Sequence, residues 1–249
     1  MRPPDQNFSE ALGMRRREDE NTMGAIETYP GAETMIPTSP RAAASAALCL
    51  LLALGASAAR TDIAASAEET SPLAAGVAAP AFTARHADSS DFAFDPGALE
   101  RPAMLIFYRG GWCPFCNRHL AELRHLVPEL EERGMDVYFL SADSPANLSS
   151  ALKGDAEGLD YTLLSDAKLS AAQAFGLAFR LSDNQYQQAK EYGLDLEEAS
   201  GETHHALPIP AVYLIDAAGT IRFAHSNPDY THRLSAEALR AATNSVLGS

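Results

Sequence analysis

Two cysteines one helical turn apart, placed where a strand gives way to a helix, constrain this chain more than any other feature. Cys113 and Cys116 stand in the segment Phe107-Tyr108-Arg109-Gly110-Gly111-Trp112-Cys113-Pro114-Phe115-Cys116. The apolar run Ala103 to Tyr108 reads as a strand, and Leu120, Leu123, Leu126/Val127 and Leu130 then recur at helical spacing, with Pro128 expected to kink or restart the helix. The sulfurs therefore fall at a helix N-terminus, where unpaired N–H groups and the macrodipole favour thiolate and lower a cysteine pKa from ~8.5 to between about 3.5 and 7.5. A pair at this spacing can close and reopen a disulfide within one turn. So small a loop removes little chain entropy, which makes the bridge a poor structural staple.

The chain has 249 residues and three cysteines. The third, Cys49, lies in an alanine-leucine run, Ala42 to Ala59, that follows Arg41 and ends on Ala56-Ser57-Ala58. That pattern reads as a signal peptide rather than an uncleaved anchor, its strongly apolar part being too short for the ~20 residues of a spanning helix. Residues 35–58 are thus read as a leader cut near Ala58, and residues 1–34 as a disordered or mis-started extension. Residues 59–71 are read as a linker and 72–249 as one domain. The expected product is exported, periplasmic or extracellular, without a stable membrane span. Residues 59–249 carry 14 basic and 26 acidic side chains. So acidic a surface repels phosphate polymers and anionic lipid, and argues against a nucleic-acid partner.

Beyond the first strand, Met135 to Leu140 reads as a second, Ala146 to Lys153 as a helix, Tyr161 to Leu164 as a short strand and Leu169 to Phe175 as a helix ending at Gly176. A polar, helix-prone stretch runs from Ser182 to Ala199. Ala211 to Ile215 and Ile221 to Ala224 flank Asp216-Ala-Ala-Gly219 as a hairpin, and a last helix covers Ser235 to Val246. Strands alternating with helices, then a hairpin and a closing helix, predict an α/β fold with a central mixed β-sheet flanked by helices on both faces.

This order, with Trp-Cys-x-x-Cys after a central strand and a proline before the hairpin, resembles the thioredoxin-like fold. Within it, Gly76-x-x-Ala79-Pro80-x-Phe82, the segment Phe107 to Cys116, Ser141-Ala-Asp-Ser-Pro145, Leu163-Leu-Ser-Asp166 and Leu207-Pro-Ile-Pro-Ala-Val-Tyr-Leu-Ile-Asp216 resemble the peroxiredoxin-like branch of the alkyl hydroperoxide reductase/thiol-specific antioxidant family. The resemblance implies a helical insertion before a cis-proline turn at Pro210, with backbone groups of Ile209 free to pair with an extended substrate. It also implies a redox cycle of Cys113 and Cys116 that reduces hydrogen or alkyl hydroperoxides. Such a cycle needs an external thiol or dithiol reductant protein but no metal or organic cofactor. The alternatives are a thiol-disulfide oxidoreductase acting on protein cysteines and a non-enzymatic redox-responsive binding module.

Two departures bear on the chemistry. Peroxiredoxins read Pro-x-x-x-Thr/Ser-x-x-Cys; aligning Cys116 with their reactive cysteine places Cys113 at the hydroxyl residue and Arg109 at the proline, while aligning Cys113 instead places Gly110 and Ile106 there, so neither register supplies the hydroxyl that would bond a peroxide. Thioredoxin carries a buried carboxylate six residues before its first active cysteine, where this chain has Phe107. From the residues themselves, Cys113 is expected to be the solvent-facing nucleophile and Cys116 the resolving thiol; the peroxiredoxin register reverses these roles. Arg109, four residues before Cys113 in the loop that leads to the pair, is read as a cation able to favour thiolate and orient a peroxide or carboxylate. Trp112 is expected to form an apolar docking surface. His204 and His205 are weaker acid/base candidates, and His119 and His125 are read as solvent-facing. A zinc half-site would need two further ligands, which no second Cys-x-x-Cys supplies.

Overall fold

The computed structural model describes residues 62–152 and 162–247. The expected extension and leader lie outside the described residues. In chain order the elements are β1 (Phe82–His86), β2 (Asp91–Phe94), β3 (Ala103–Tyr108), α1 (Pro114–Leu123), α2 (Leu126–Glu132), β4 (Asp136–Ser141), α3 (Pro145–Leu152), β5 (Thr162–Ser165), α4 (Ser170–Ala174), β6 (Ala178–Arg180), α5 (Asp183–Glu191), α6 (Leu196–Ser200), β7 (Ala206–Pro208), β8 (Ala211–Ile215), β9 (Ile221–Ser226) and α7 (Ala236–Leu247).

Among the described residues, seven strands form one mixed sheet in the order β2-β1-β5-β4-β3-β8-β9, and β6 and β7 form a separate two-stranded sheet. β3 runs parallel to β4, and β4 to β5, while β8 returns antiparallel beside β3. All six residues of β3 are buried, as a continuous apolar run in a covered central strand requires. Phe107, Phe175 and Tyr213 clasp one another across β3, β8 and the end of α4, with ring centroids 5.3 Å apart for Phe107–Phe175 and 4.7 Å for Phe175–Tyr213. Each such ring contributes on the order of 1.5–3 kcal/mol by leaving water.

The helical run after β3 breaks as its sequence demands. α1 ends at Leu123 and α2 restarts at Leu126, with Pro128 in the first turn of α2, where a missing N–H costs no internal bond. Asp166 anchors α4: its two carboxylate oxygens accept from the Ala171 and Ala172 amides at 2.9 and 2.8 Å. Burial pushes this carboxyl up to about 7, against the pull of those amides. The hairpin turn is the one the sequence announces. Asp216 accepts from the amides of Ala218 and Thr220, and Gly219 sits at φ +77, where a Cβ would meet the Pro96 carbonyl oxygen at 2.6 Å.

Three features escape the sequence reading. β1 and β2 extend the sheet at one edge. The small β6–β7 sheet brackets the helical insertion α5–α6. Residues 62–71, expected as a linker, are tied to the domain: Ala64 exchanges backbone hydrogen bonds with Ala178 and Arg180, and the Ser71 amide bonds the Gly176 carbonyl.

Register explains where a site can form. Tyr108 pairs with Ser141, so the loops that follow β3 and β4 emerge side by side. Phe107 pairs with Ala211 and Ala211 with Ser226, which brings the start of β8 and the end of β9 to the same end of the sheet. Four loops therefore converge there, as expected at the carboxyl ends of parallel strands.

Candidate active site

Cys113 is the N-cap of α1 and Pro114 its first residue, and the Cys113 side chain makes no capping bond to the helix. The Cys113 amide folds back to the Gly110 carbonyl at 3.1 Å, and Asn117 donates its side-chain amide to the Gly111 carbonyl at 2.8 Å. Both cysteines are present as thiols. The expectation of a solvent-facing Cys113 is corrected: it is 1% exposed and Cys116 0%. Cys116, His119, Leu120 and Leu123 form the buried stripe of α1, spaced i, i+3, i+4, i+7. The same stripe overturns the reading of His119 as solvent-facing. Its Nε2 bonds the Leu234 carbonyl at 3.0 Å, and burial, aided by the Arg233 charge, pushes it down to about 4. His125 is exposed.

Burial does not isolate the sulfurs from charge. An Nη2 of Arg233 lies 3.4 Å from Cys116 Sγ, brought there by the loop after β9. Burial acts to push the Cys116 thiol up. The hydrogen bond from Cys113, the Arg233 guanidinium, and the Arg109 amide and guanidinium outweigh it and bring the group to about 6. Cys113 moves the opposite way: its hydrogen bond to Cys116, then burial and the Cys116 charge, push it far up, with Arg109 opposing. These opposed shifts favour thiolate on Cys116, with the Cys113 thiol as its hydrogen-bond donor.

Arg109 is itself buried, 2% exposed. Its Cζ lies 4.1 Å from the ring centroid of Tyr230 and 5.2 Å from that of Trp112. Among the described residues its Nε and Nη1 have no hydrogen-bond partner. Arg109, Ile209, Pro210, Tyr230, Phe179 and Leu181 are among the walls of a cavity of about 240 Å³. Trp112 is half-buried and packs over Gly110, where a Cβ would come within 2.3 Å of the indole nitrogen.

The proline turn differs from expectation. No peptide bond among the described residues is cis, so Pro210 is trans. Residues 206–208 pair with β6 and residues 211–215 with β3, and a trans bond keeps the chain extended as it passes between the two sheets. The Ile209 amide donates to Leu177 at 3.0 Å and the Pro210 carbonyl accepts from Asn227 at 3.2 Å. That amide is therefore not free for a substrate strand. His204 and His205 serve the insertion instead. His204 bonds the Ala167 carbonyl and the Ala206 amide. His205 pairs with Glu197 at 2.7 Å and stacks on Tyr186.

Sequence reasoning missed two residues. Arg233 lies 117 positions from Cys116 in a stretch with no local signal. Asp143 was visible within Ser141-Ala-Asp-Ser-Pro145, but only the pairing of β3 with β4 brings it under the Gly110–Gly111 turn. Among the described residues no cluster of three His, Cys, Asp or Glu side chains has metal-holding geometry, and no helix is long and apolar enough to cross a membrane.

A dithiol at a strand-to-helix junction of a mixed sheet, polarised by two arginines, defines a thioredoxin-like thiol protein. Residues 75–224 match the AhpC/TSA family, and the chain belongs to it. Peroxiredoxin Bcp of Escherichia coli (strain K12) is 32% identical over 106 residues, 43% of this chain and 66% of that relative. The chain thus spans just under two thirds of the relative's length. The thiol-disulfide oxidoreductase ResA of Halalkalibacterium halodurans is 27% identical over 79 residues, 32% of this chain and 44% of that relative. The crystal structure of peroxidoxin BcpB from Mycobacterium tuberculosis has a similar fold, with TM-score 0.50 and 18% identity over 70% of this chain and 94% of that one.

Proposed function

We propose that the protein is a thiol peroxidase in which Cys116 is the nucleophile and Cys113 the resolving thiol. The observation that carries this reading is the Arg233 guanidinium 3.4 Å from the Cys116 sulfur, which, with the hydrogen bond from Cys113, favours the thiolate there. This is the order of roles in the peroxiredoxin register, with the Cys113 thiol in the place of the hydroxyl. The thiolate attacks the terminal oxygen of a hydroperoxide: an S–O bond forms, the O–O bond breaks, and the departing alkoxide or hydroxide takes a proton. Arg233 and Arg109 stabilise the negative charge as it moves from sulfur to oxygen. Cys113 then attacks the Cys116 sulfenic acid, forming the disulfide and releasing water, and two electrons from an external thiol or dithiol restore the pair.

Two observations favour a peroxide over a protein disulfide. Both sulfurs are fully buried, which a small oxidant tolerates better than a polypeptide. The Ile209 amide, which would pair with an extended substrate, already bonds Leu177. The cavity lined by Arg109 and Tyr230 offers space for the organic part of an alkyl hydroperoxide.

Stopped-flow oxidation of the reduced protein separates the readings. Micromolar hydrogen peroxide or cumene hydroperoxide is expected to oxidise it within seconds, with little reductive precipitation of a disulfide-linked test protein. The reverse pattern would replace this proposal by disulfide exchange. We also propose export of the folded domain after cleavage near Ala58; intact-mass measurement of the native protein should then find an N-terminus at Ala59, and an uncleaved chain would overturn that part.

A further inference from the structure

β3 supplies no carboxylate to the cysteine pair, because Phe107 occupies the position six residues before Cys113. A carboxylate arrives from the next strand instead. Asp143, just past β4, is 3% exposed. Its Oδ2 accepts the Gly111 amide at 2.8 Å and the Ser141 hydroxyl at 3.0 Å, and its Oδ1 lies 2.9 Å from where a Cβ on Gly110 would stand. Its own carbonyl accepts the Ser165 hydroxyl at 2.7 Å. Asp143 thus grips the two glycines to which the Cys113 amide and the Asn117 side chain are tied.

Two neutral donors do not need a charge to satisfy them; a buried amide would hold the same turn without the cost of desolvating an ion. Among the described residues Asp143 has no ion-pair partner. The carboxylate bonds the Gly111 amide from the loop and Ser141 from β4, Ser165 from β5 bonds its main-chain carbonyl, and the titratable groups coupled to it through charge are Tyr108 on β3 and Cys116 on α1. The positive charges of the site, Arg109 and Arg233, act on Cys116.

We propose that Asp143 is a positioning residue whose charge, and not only its hydrogen bonds, tunes the Cys113/Cys116 pair, so that carboxylate and thiolate bind protons as one coupled unit. The inference rests on the peroxidase reading for its role in turnover, while the coupling itself does not. Burial raises the Asp143 carboxyl to about 6, with Gly111 and Ser141 pulling down and the Cys116 charge pushing up. Cys116 lies at about 6 as well. Two mutually repelling acids that share a buried site lose their protons in a broadened, shared titration. When peroxide converts the thiolate to a neutral sulfenic acid, the repulsion ends and Asp143 holds its proton less tightly. Near pH 6 the site therefore releases part of a proton in the same step in which the departing alkoxide needs one.

The test is the ultraviolet thiolate titration of the reduced protein together with the pH profile of its single-turnover oxidation by hydrogen peroxide, in wild type, Asp143→Asn and Asp143→Ala. Asp143→Asn keeps an oxygen for the Gly111 amide and loses the charge. It is expected to narrow the titration and lower its midpoint by about half a pH unit or more, with the acid limb of the rate profile moving equally. Asp143→Ala also loses the grip on the turn and is expected to be slower at every pH. A folded Asp143→Asn with the wild-type titration would overturn the proposal. If wild type does not react with peroxide, the peroxidase reading fails while the thiolate titration still decides the coupling. Should Asp143→Asn not fold, carbon-13 NMR of the Asp143 carboxyl in Cys116→Ser decides instead: a lower midpoint than in wild type supports the coupling, and an unchanged one overturns it.

Discussion

Cys116→Ser is expected to lower peroxide-dependent turnover by about a thousand-fold or more, the usual scale for removing a nucleophile. Cys113→Ser should behave differently. A serine hydroxyl can still donate a hydrogen bond to the Cys116 thiolate, so the first oxidation should stay within about ten-fold of wild type, while turnover stops at the sulfenic acid. A dione reagent should label Cys116 in that variant and nothing in Cys116→Ser. Because Cys116 lies at about 6, the thiolate fraction, and with it the rate of first oxidation, should rise through pH 6 and flatten above pH 7, where roughly nine-tenths of the sulfur is ionised. The opposite labelling, on Cys113, would restore the role order read from solvent exposure and remove the peroxiredoxin register.

Arg233→Met is expected to be the most damaging change outside the cysteines. Its guanidinium touches Cys116 Sγ at 3.4 Å and is a leading cause of the lowered thiol. Removing an adjacent charge should raise the Cys116 pKa by about 1–2 units. At pH 6 the oxidation rate should fall by about ten-fold from lost thiolate alone, and further from lost stabilisation of the charge on oxygen. The sign is checkable: a raised thiol pKa means that raising the pH to about 9 recovers the ionisation part of the defect, whereas loss at oxygen persists. Arg233→Lys should recover part of both. His119 provides an independent readout, since Arg233 helps to hold it at about 4; in Arg233→Met its ring should titrate higher by NMR. An unmoved thiolate titration would show that Arg233 is no part of the site.

Much of this architecture is legible in the residues because each element carries its own signal. β3 matches the apolar run from Ala103 to Tyr108, the β8–β9 hairpin forms around Asp216 to Gly219, and α7 begins after Ser235. Those signals are local in the chain: a fully covered strand, an aspartate that bonds its own turn, a serine before a helix. β1, β2, β6 and β7 were not legible, since short strands of three to five residues acquire their order only from a neighbour already in place. His119 was misread because a cysteine was not counted as an apolar position. With Cys116 on the buried stripe, His119 falls on it as well.

The sequence alone determined that a cysteine pair would sit at the head of a helix in an α/β sheet, because strand, turn, proline and helix are written within fourteen residues, from Ala103 to Cys116. Which sulfur lies beside a guanidinium was decided only by tertiary structure. Arg233 reaches Cys116 from 117 positions away, and Asp143 lies 32 positions from the Gly111 amide it holds. The electrostatic field at a buried sulfur is set by distances through space, and those distances exist only once β3, β4, β8 and β9 have aligned their ends.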